Sequence, residues 1–338
     1  MTIRVGVIGV GMIGEDHIRR LTHVLSGAEI AAVTDVDAAR AQAVADPLPG
    51  ARVHRTGQDL VDDERVDAVL VASWGPTHEE YVLASIAAGK PVFCEKPLAP
   101  TRDACLRILD AEVMSGRRHV QVGFMRRYDA AYRALKEVVG GGSLGAPLVV
   151  HCAHRNPSVA PMFTSEMAIN DTAIHEIDTT RWLLREEIVA TRVLQPRRNS
   201  RAPAELCDPL FVVLETASGA LIDVEVSVSI GYGYDIRCEV VGERGTASLP
   251  DASDVIVRRD GLRGGPVPSS WRERFLRAYD IELQEWIDAV GVGSCTGPSA
   301  WDGYAATAVA ESCVTALHTG DRATVSLVDR PDFYDKMQ

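Results

Sequence analysis

The sequence lacks an apolar run long enough to span a membrane. No stretch of its 338 residues approaches the roughly 18 to 20 consecutive apolar residues that a transmembrane helix needs. The opening residues, MTIRVGVIGVGMIG, become strand-like at once and show neither the basic region nor the cleavage site of a signal peptide. The cytoplasm is therefore the expected compartment.

An excess of positive charge and paired cysteines are also missing. The chain has 35 Lys and Arg against 47 Asp and Glu, and the net charge of −12 argues against a nucleic acid or an anionic membrane as a partner. The 7 cysteines are scattered, odd in number and never arranged as CxxC, which favours reduced, buried thiols over disulfides or a zinc site. With 46% hydrophobic residues and no internal repeat, the composition is ordinary for a globular enzyme.

The order of apolar segments indicates two domains, 1–124 and 125–338. In the first, short Val/Ile/Ala runs alternate with helical patterns, which predicts a doubly wound parallel (Rossmann) sheet buried on both faces. The predicted strands are IRVGVIG, EIAAVTD, DAVLVAS, PVFCEK and HVQVGF.

After VGFMRRYD the strands follow one another closely and are separated by turn signals such as ASG and GERG. This rhythm predicts a mostly antiparallel sheet, and a sheet of that kind can keep one open face. The expected strands are PLVVHCAH, IVATRVL, LFVVLETASG, ALIDVEVSVSI, YDIRCEVVG and GTASL. Two further helices are predicted at about 271–290 and 302–319, and the sequence leaves open whether they pack back on the first domain.

A glycine loop follows the first strand and opens a helix. Gly9, Gly11 and Gly14 have GxGxxG spacing, which permits a tight turn, close approach of a pyrophosphate and close helix packing, respectively. Asp35 ends the next strand 21 residues after Gly14, where a carboxylate would accept hydrogen bonds from the adenine-ribose hydroxyls. The alternative for Asp35 is a helix cap. A carboxylate there repels a 2′-phosphate, and no arginine follows it directly, so the cofactor is expected to be NAD rather than NADP.

Other candidates for cofactor contact lie in the glycine loop and where the parallel strands end. Met12 and Ile13 pack against either the cofactor or the core. Ser73 and Trp74 follow DAVLVA, and Trp74 is either an apolar wall beside the cofactor or a buried structural tryptophan. His78 is a further candidate, although starting or capping a helix is its more ordinary role.

Glu95 and Lys96 stand at the carboxyl end of the strand PVFCEK. Lysines are usually solvated surface residues, but Pro97 restricts the backbone of Lys96 and gives its amine a defined direction. An ammonium group there could stabilise the alkoxide that develops as a hydride leaves for a nicotinamide. Both residues are therefore assigned to the cofactor site, and Lys96 also to catalysis.

The segment NDTAIHEID, residues 170–178, places Asp171, His175 and Asp178 on one face of a regular α-helix. Asp171 could be an N-cap, His175 could be a structural histidine, and the three side chains could hold a metal. A hydride transfer to NAD needs no metal, however, and it does need a proton acceptor. A histidine suits that role around neutral pH, with Asp171 orienting its ring.

Several segments together resemble a known family. GVIGVGMIG, EKPLA and the Asp-x3-His helix are similar to the Gfo/Idh/MocA oxidoreductases. Within that family, VFCEKPLA, VQVGFMRRYD, HCAHRNP, GYGYDI and GPSAWDGY resemble the bacterial inositol 2-dehydrogenases nearly end to end. The loop ASWGPTHE departs from the TPNxxH-like loop of many members but is similar to that of the inositol enzymes.

The resemblance implies a Rossmann domain followed by an α/β domain with a large, open-faced sheet. It also implies NAD as hydride acceptor, a cyclic polyol as substrate and a homotetramer built through the open sheets. The implied reaction oxidises a ring hydroxyl of myo-inositol to the 2-keto-inositol. Alternatives are an enzyme for scyllo- or chiro-inositol or a pyranose sugar, and a non-catalytic NAD-sensing regulator. Carried over by position, the catalytic residues are Lys96, Asp171 and His175, no metal is expected, and the substrate pocket comprises these three with Arg126, His154, Asn156, Asp178 and Tyr234.

Overall fold

A computed structural model describes residues 2–251 and 255–335. The chain packs as two compact units. The first comprises residues 2–124, 279–307 and 328–335, and the second comprises residues 125–278 and 308–327. Two long helices, α9 (Trp271–Gly291) and α10 (Ala300–Thr319), contribute residues to both units.

The first unit is built on a six-stranded parallel sheet. Its strands are β1 (Ile3–Ile8), β2 (Ala28–Thr34), β3 (Arg52–Val53), β4 (Ala68–Val71), β5 (Val92–Glu95) and β6 (Val120–Gly123). Their spatial order is β3-β2-β1-β4-β5-β6, so the winding reverses between β1 and β4. In sheets of this order, ligands bind beyond the carboxyl ends of the strands at the point of reversal.

Five helices cover this sheet. They are α1 (Met12–His23), α2 (Ala38–Ala45), α3 (Gly57–Asp62), α4 (His78–Ala87) and α5 (Arg102–Ser115). All residues of β4, β5 and β6 are buried, as the continuous apolar runs in these strands predict. The carboxyl ends of the strands therefore rest on a packed core, and the residues that follow them are held in place.

The second unit contains a seven-stranded mixed sheet. Its strands are β7 (Pro147–Arg155), β8 (Ile188–Leu194), β9 (Leu210–Thr216), β10 (Leu221–Ser227), β11 (Asp235–Gly242), β12 (Gly245–Ser248) and β15 (Ala323–Thr324). The order is β12-β11-β7-β10-β9-β8-β15, with β7 and β10 parallel and the other neighbours antiparallel. A separate hairpin joins β13 (Val257–Arg259) to β14 (Leu262–Gly264).

Helical segments before and after β7 carry several of the candidate site residues of this unit. They are a 3-10 turn (Met125–Tyr128), α6 (Ala130–Gly140), α7 (Ser165–Met167), a π-helical segment (Ala168–Ala173) and α8 (Ile174–Leu184). Alternate residues of β7 are buried against this layer, so Val150, Cys152 and His154 point away from the open face of the sheet.

The two sheets confirm the predicted fold class. The strands β3 and β15 and the helix α3 were not predicted. Two-residue strands and a six-residue helix are too short to show a periodic pattern in the sequence. Within residues 2–251 and 255–335, no helix combines the length and apolarity needed to cross a bilayer.

Candidate active site

The glycine loop has the geometry of a phosphate cradle. Gly9 has a φ of 88°, and a Cβ on Gly14 would lie 2.0 Å from the carbonyl oxygen of Gly9. A Cβ on Gly11, by contrast, would meet no atom within 4 Å, and Gly11 caps α1 without a side-chain hydrogen bond. The space in front of Gly11 at the start of α1 is therefore open, which suits the approach of a dinucleotide pyrophosphate to the helix N-terminus.

Asp35 is held beside this loop. One carboxylate oxygen accepts the N–H of Val10 at 2.8 Å and the other accepts the N–H of Asp37 at 2.9 Å. The cap of α2 is Asp37, whose side chain accepts from the backbone N–H of Ala39 and Arg40, so the alternative of Asp35 as a helix cap is wrong. These two bonds hold Asp35 at the carboxyl end of β2, and its contact with a ribose stays a prediction.

An arginine lies closer to Asp35 than the sequence suggested. Arg40 approaches Asp35 at 3.8 Å and Asp37 at 3.5 Å, although it is five positions further along the chain. Because two carboxylates already surround this exposed guanidinium, the site remains acidic overall. The geometry still favours NAD over NADP.

The residues that follow β4 differ in burial, with Trp74 exposed and His78 buried. Trp74 is 78% exposed, so the alternative of a buried structural tryptophan is wrong. His78 begins α4 and is 1% exposed, with its ring nitrogens 2.7 Å from the Pro97 carbonyl oxygen and 3.0 Å from the Ser73 carbonyl oxygen. Burial lowers the pKa of His78. The neutral ring can donate to only one of these carbonyl oxygens, but it lies between the loops after β4 and β5. Ser73 bonds the hydroxyl of Thr77 at 2.7 Å.

The two loop residues after Gly11 differ in exposure. Met12 is 63% exposed at the start of α1. Ile13 packs against the apolar core beneath β1. The core alternative therefore holds for Ile13, whereas contact of Met12 with a cofactor stays a prediction.

Lys96 follows β5 directly, and its bond to Pro97 is cis. Its backbone N–H donates to Glu95 Oε2 at 3.2 Å. Glu95 is 7% exposed and its other oxygen lies 2.7 Å from His17 Nε2. Burial tends to raise the pKa of Glu95, but the hydrogen bond from His17 and neighbouring charges outweigh it and lower that pKa.

In the second unit, Asp171 and His175 lie where two kinds of helix meet. Asp171 is inside the π-helical segment and His175 is the second residue of α8. The helical stretch begins at α7, whose cap is Thr164, so the alternative of Asp171 as an N-cap is wrong. A π-helical turn is wider than an α-helical one, and the predicted shared face is therefore not regular α-helix geometry across residues 168–173. Turns of this kind frequently mark functional sites.

A buried ion-pair network supports the substrate residues of this unit. Arg126 and Glu176 form an ion pair with both side chains 1% exposed. His154 Nδ1 is 2.9 Å from Arg126 NH2 and 3.0 Å from Glu176 Oε2. Burial alone would raise the pKa of Glu176, but the charge of Arg126 and the bond to His154 lower it, so the carboxylate is ionised.

The rings of His154, His175 and Tyr234 gather beside this network. The His154 ring centroid lies 6.3 Å from that of His175 and 5.7 Å from that of Tyr234, the latter edge-on. Tyr234 is 5% exposed, and burial raises its pKa, so it keeps its phenolic proton as a donor. Four predicted pocket residues, Arg126, His154, His175 and Tyr234, are thus brought together.

Asn156 has a buried acceptor that nothing in residues 2–251 and 255–335 satisfies. Its backbone is fixed by bonds to Ser227 and Ile230, at 2.9 Å and 3.0 Å. Its side-chain oxygen has no hydrogen-bond partner within the described chain. A buried acceptor without a donor is costly, and a substrate hydroxyl would satisfy it.

Asp178 was predicted to contact substrate, but the structure gives it another partner. Its carboxylate is 0% exposed and forms a bidentate ion pair with Arg127, at 2.9 Å and 2.5 Å. This pair fixes α8 to the 3-10 turn that carries Arg126. Through this pair Asp178 supports the pocket, and its direct contact with substrate stays a prediction.

Sequence reasoning missed Glu176, Arg127 and His17. Glu176 and Asp178 fall in HEID, on either side of the apolar Ile177, while Arg126 and Arg127 form the adjacent pair in GFMRRYD. Acids in a buried helix require basic partners, and this complementarity was a signal that could have paired the segments. His17 carried no such signal, because nothing local indicates a partner 78 residues away.

Across the described ranges, no group of three or more His, Cys, Asp or Glu side chains is arranged to hold a metal ion.

Comparisons with known proteins agree with this geometry. Residues 3–124 match the NAD-binding Rossmann-fold domain of the Gfo/Idh/MocA oxidoreductase family, and residues 136–327 match its C-terminal alpha/beta domain. The glycine cradle and these matches define an NAD-dependent oxidoreductase. The chain belongs to the Gfo/Idh/MocA family.

Similar proteins cover nearly the whole chain. It is 57% identical to inositol 2-dehydrogenase 3 of Saccharopolyspora erythraea, over 99% of this chain and 98% of that protein. It is 55% identical to an inositol 2-dehydrogenase of Ralstonia nicotianae, over 99% of both chains. A crystal structure of myo-inositol dehydrogenase from Lactobacillus casei, in complex with NAD(H) and myo-inositol, is 42% identical, with a TM-score of 0.96 and coverage of 99% of this chain and 100% of that one.

Proposed function

We propose that this protein oxidises a ring hydroxyl of myo-inositol to the 2-keto-inositol, with NAD as hydride acceptor. The observations that carry the proposal are the cluster of Arg126, His154, His175 and Tyr234 and the unsatisfied oxygen of Asn156, two residues after His154. Such a set offers several donors and acceptors to a polyol, and the relatives named above act on inositol. Hydroxyl-rich substrates are selected by buried polar groups of this kind.

In the proposed reaction, His175 takes the proton of the reacting hydroxyl. Asp171, one turn earlier in the chain, orients the imidazole and stabilises its charged form. The ammonium of Lys96 stabilises the alkoxide that develops on the substrate oxygen. When bound, NAD would accept the hydride from the carbon that bears the reacting hydroxyl. The products are then the ketone, NADH and one proton.

The first residues of the chain hold the cofactor in this proposal. Gly9, Gly11 and Gly14 seat the pyrophosphate, and Asp35 takes the ribose hydroxyls. Met12, Ser73 and Trp74 contribute contacts at the loops, while Ile13, His78 and Glu95 support them. These assignments follow from the placement of each residue at the glycine loop or at a strand end.

A substrate panel tests the proposal. Purified protein is incubated with NAD or NADP and with myo-, scyllo- and chiro-inositol and pyranose sugars, from about pH 6 to about pH 10, and repeated with His175→Ala. NADH formation with myo-inositol that is lost in His175→Ala supports it. If another inositol isomer or a sugar is preferred, that compound replaces myo-inositol as the proposed substrate. Tight NAD binding without any turnover favours a cofactor-sensing regulator.

The open sheet of the second unit is also proposed as the contact between copies in a homotetramer. Its outer face exposes Val189, Leu194 and Leu221 to solvent, at 37%, 45% and 45%. Arg155 and Glu225 pair on the same face at 2.5 Å. Apolar and charged groups together suit a specific interface, and light scattering after size exclusion would show a mass near one chain if the proposal fails.

A further inference from the structure

His17 links the cofactor helix to the end of β5. It stands on the buried face of α1 and is 0% exposed. Its Nε2 lies 2.7 Å from Glu95 Oε1, which requires the ring hydrogen on Nε2, because a carboxylate oxygen can only accept. The other nitrogen, Nδ1, has no hydrogen-bond partner in the part of the chain that the structure describes, and the ring packs against Phe93 and Tyr279 at 5.9 Å and 5.8 Å. The carboxylate is thus the polar group that holds this ring.

Glu95 is confined on several sides. While Oε1 accepts from His17, Oε2 accepts the backbone N–H of Lys96 at 3.2 Å. On the adjacent strand β6, a Cβ at Gly123 would lie 3.1 Å from Oε2 and 3.2 Å from the carboxyl carbon. The carboxylate therefore fills space that a glycine leaves beside it. A residue so enclosed has little freedom to turn toward a ligand.

The helix that carries His17 is itself anchored. Arg20, three residues after His17, is 0% exposed, pairs with Asp16, and donates to Asp280 at 2.9 Å. Its guanidinium also lies 4.9 Å from the ring of Tyr279. Because α1 starts at the glycine loop, one rigid helix fixes both the phosphate cradle and the imidazole that orients Glu95.

We propose that Glu95, oriented by His17, is a positioning residue that holds the backbone of Lys96 in register with the phosphate-binding helix. The predicted direct contact of Glu95 with cofactor is replaced by an action through Lys96. This inference rests on the proposed catalytic role of Lys96. Misplacement of a catalytic group by about 1 Å can cost about 10²-fold in rate, so the loss should fall on kcat rather than on NAD affinity.

Three variants test the link. His17→Leu removes the donor, Glu95→Gln removes the charge at nearly constant shape, and His17→Gln returns an amide donor close to the position of Nε2. The control is His54→Leu, which breaks a histidine–carboxylate pair of 3.0 Å with Asp63 elsewhere in the same unit. For each, kcat and KM for myo-inositol, NAD dissociation constants by fluorescence and thermal unfolding are measured.

We expect His17→Leu and Glu95→Gln to lower kcat about 10- to 100-fold, with the NAD dissociation constant changed less than about 3-fold. His17→Gln should recover most of the loss, and His54→Leu should change kcat less than about 2-fold. Equal losses in His17→Leu and His17→Gln, or a loss explained by the fraction unfolded, would overturn the inference.

A chemical readout separates this inference from the proposed function. The rate of acetylation of Lys96, measured by mass spectrometry in the NAD-bound protein, reports the position of its amine without any turnover. A changed rate in His17→Leu, which keeps the Glu95 carboxylate, that is restored in His17→Gln and absent in His54→Leu supports the link even if Lys96→Ala keeps full activity and the catalytic role fails. An unchanged acetylation rate refutes the link even if the catalytic role stands.

Discussion

Breaking the Arg126–Glu176 pair should destabilise the second unit strongly. Each side chain is 1% exposed, so solvent cannot compensate a charge left alone. We expect Arg126→Met and Glu176→Gln each to lower the free energy of unfolding by about 3 to 5 kcal/mol, the usual cost of removing one partner from a buried pair. The double variant Arg126→Met/Glu176→Leu should recover much of this, because it buries no unpaired charge.

The measurement is urea unfolding followed by circular dichroism and tryptophan fluorescence. The control is Arg322→Met, which removes an exposed pair with Glu215, 2.7 Å apart, in the same unit and should cost about 0 to 1 kcal/mol. If the single variants cost no more than this control, or if the double variant loses the sum of the singles, the electrostatic reasoning is wrong.

The same pair sets an expected pH dependence. The folded-state pKa of Glu176 is below its ordinary value of 4.5, so the unfolded chain binds more protons on this group. Its contribution to stability is therefore fully present above pH 4.5 and is lost as the pH falls through the lower folded pKa. The stability difference between wild type and Glu176→Gln should shrink below that pH, and a difference that grows on acidification would contradict the assignment.

Three further outcomes are expected. His175→Ala should lower kcat with myo-inositol by about 10² to 10⁴ while leaving NAD binding, measured by fluorescence, largely unchanged. Asp35→Ser should weaken NAD binding and raise the ratio of NADP to NAD turnover, and an unchanged ratio would refute its role as the phosphate-excluding group. Gly14→Ala should destabilise the fold, because its Cβ would lie 2.0 Å from Gly9 O, whereas Gly11→Ala should melt as wild type yet bind NAD more weakly.

The fold could be predicted from sequence because its signals are local. Continuous apolar runs located β1, β2, β4, β5 and β6, and β8 was predicted at its observed bounds, Ile188–Leu194. For each of these strands, the length of the apolar run and the spacing of its apolar residues indicate that the strand is buried. The two-residue strands β3 and β15 follow only from the neighbours that pair with them, and no local pattern predicts them.

The site was predicted unevenly for the same physical reason. The glycine loop and Asp35 are fixed by short-range spacing, and the sequence placed them where the structure has them. The π-helical segment around Asp171 could not be foreseen, because α- and π-helical turns use the same residues and differ in which carbonyl accepts each N–H. Partnerships such as Arg127 with Asp178 join residues 51 positions apart, and single-sequence periodicity carries no information on them.

The order of the mixed sheet has a consequence for how the chain matures during synthesis. Strand β7, which carries His154, has β10 and β11 as its neighbours, and both come later in the chain. The parallel sheet of the first unit, by contrast, has all its strands by residue 123. Non-local pairings form late, because the intervening chain must be made and closed first. On the ribosome, all six strands of the parallel sheet are therefore available before β10 and β11, although the core beneath that sheet is completed only when Leu283, Trp286 and Ile287 have been made.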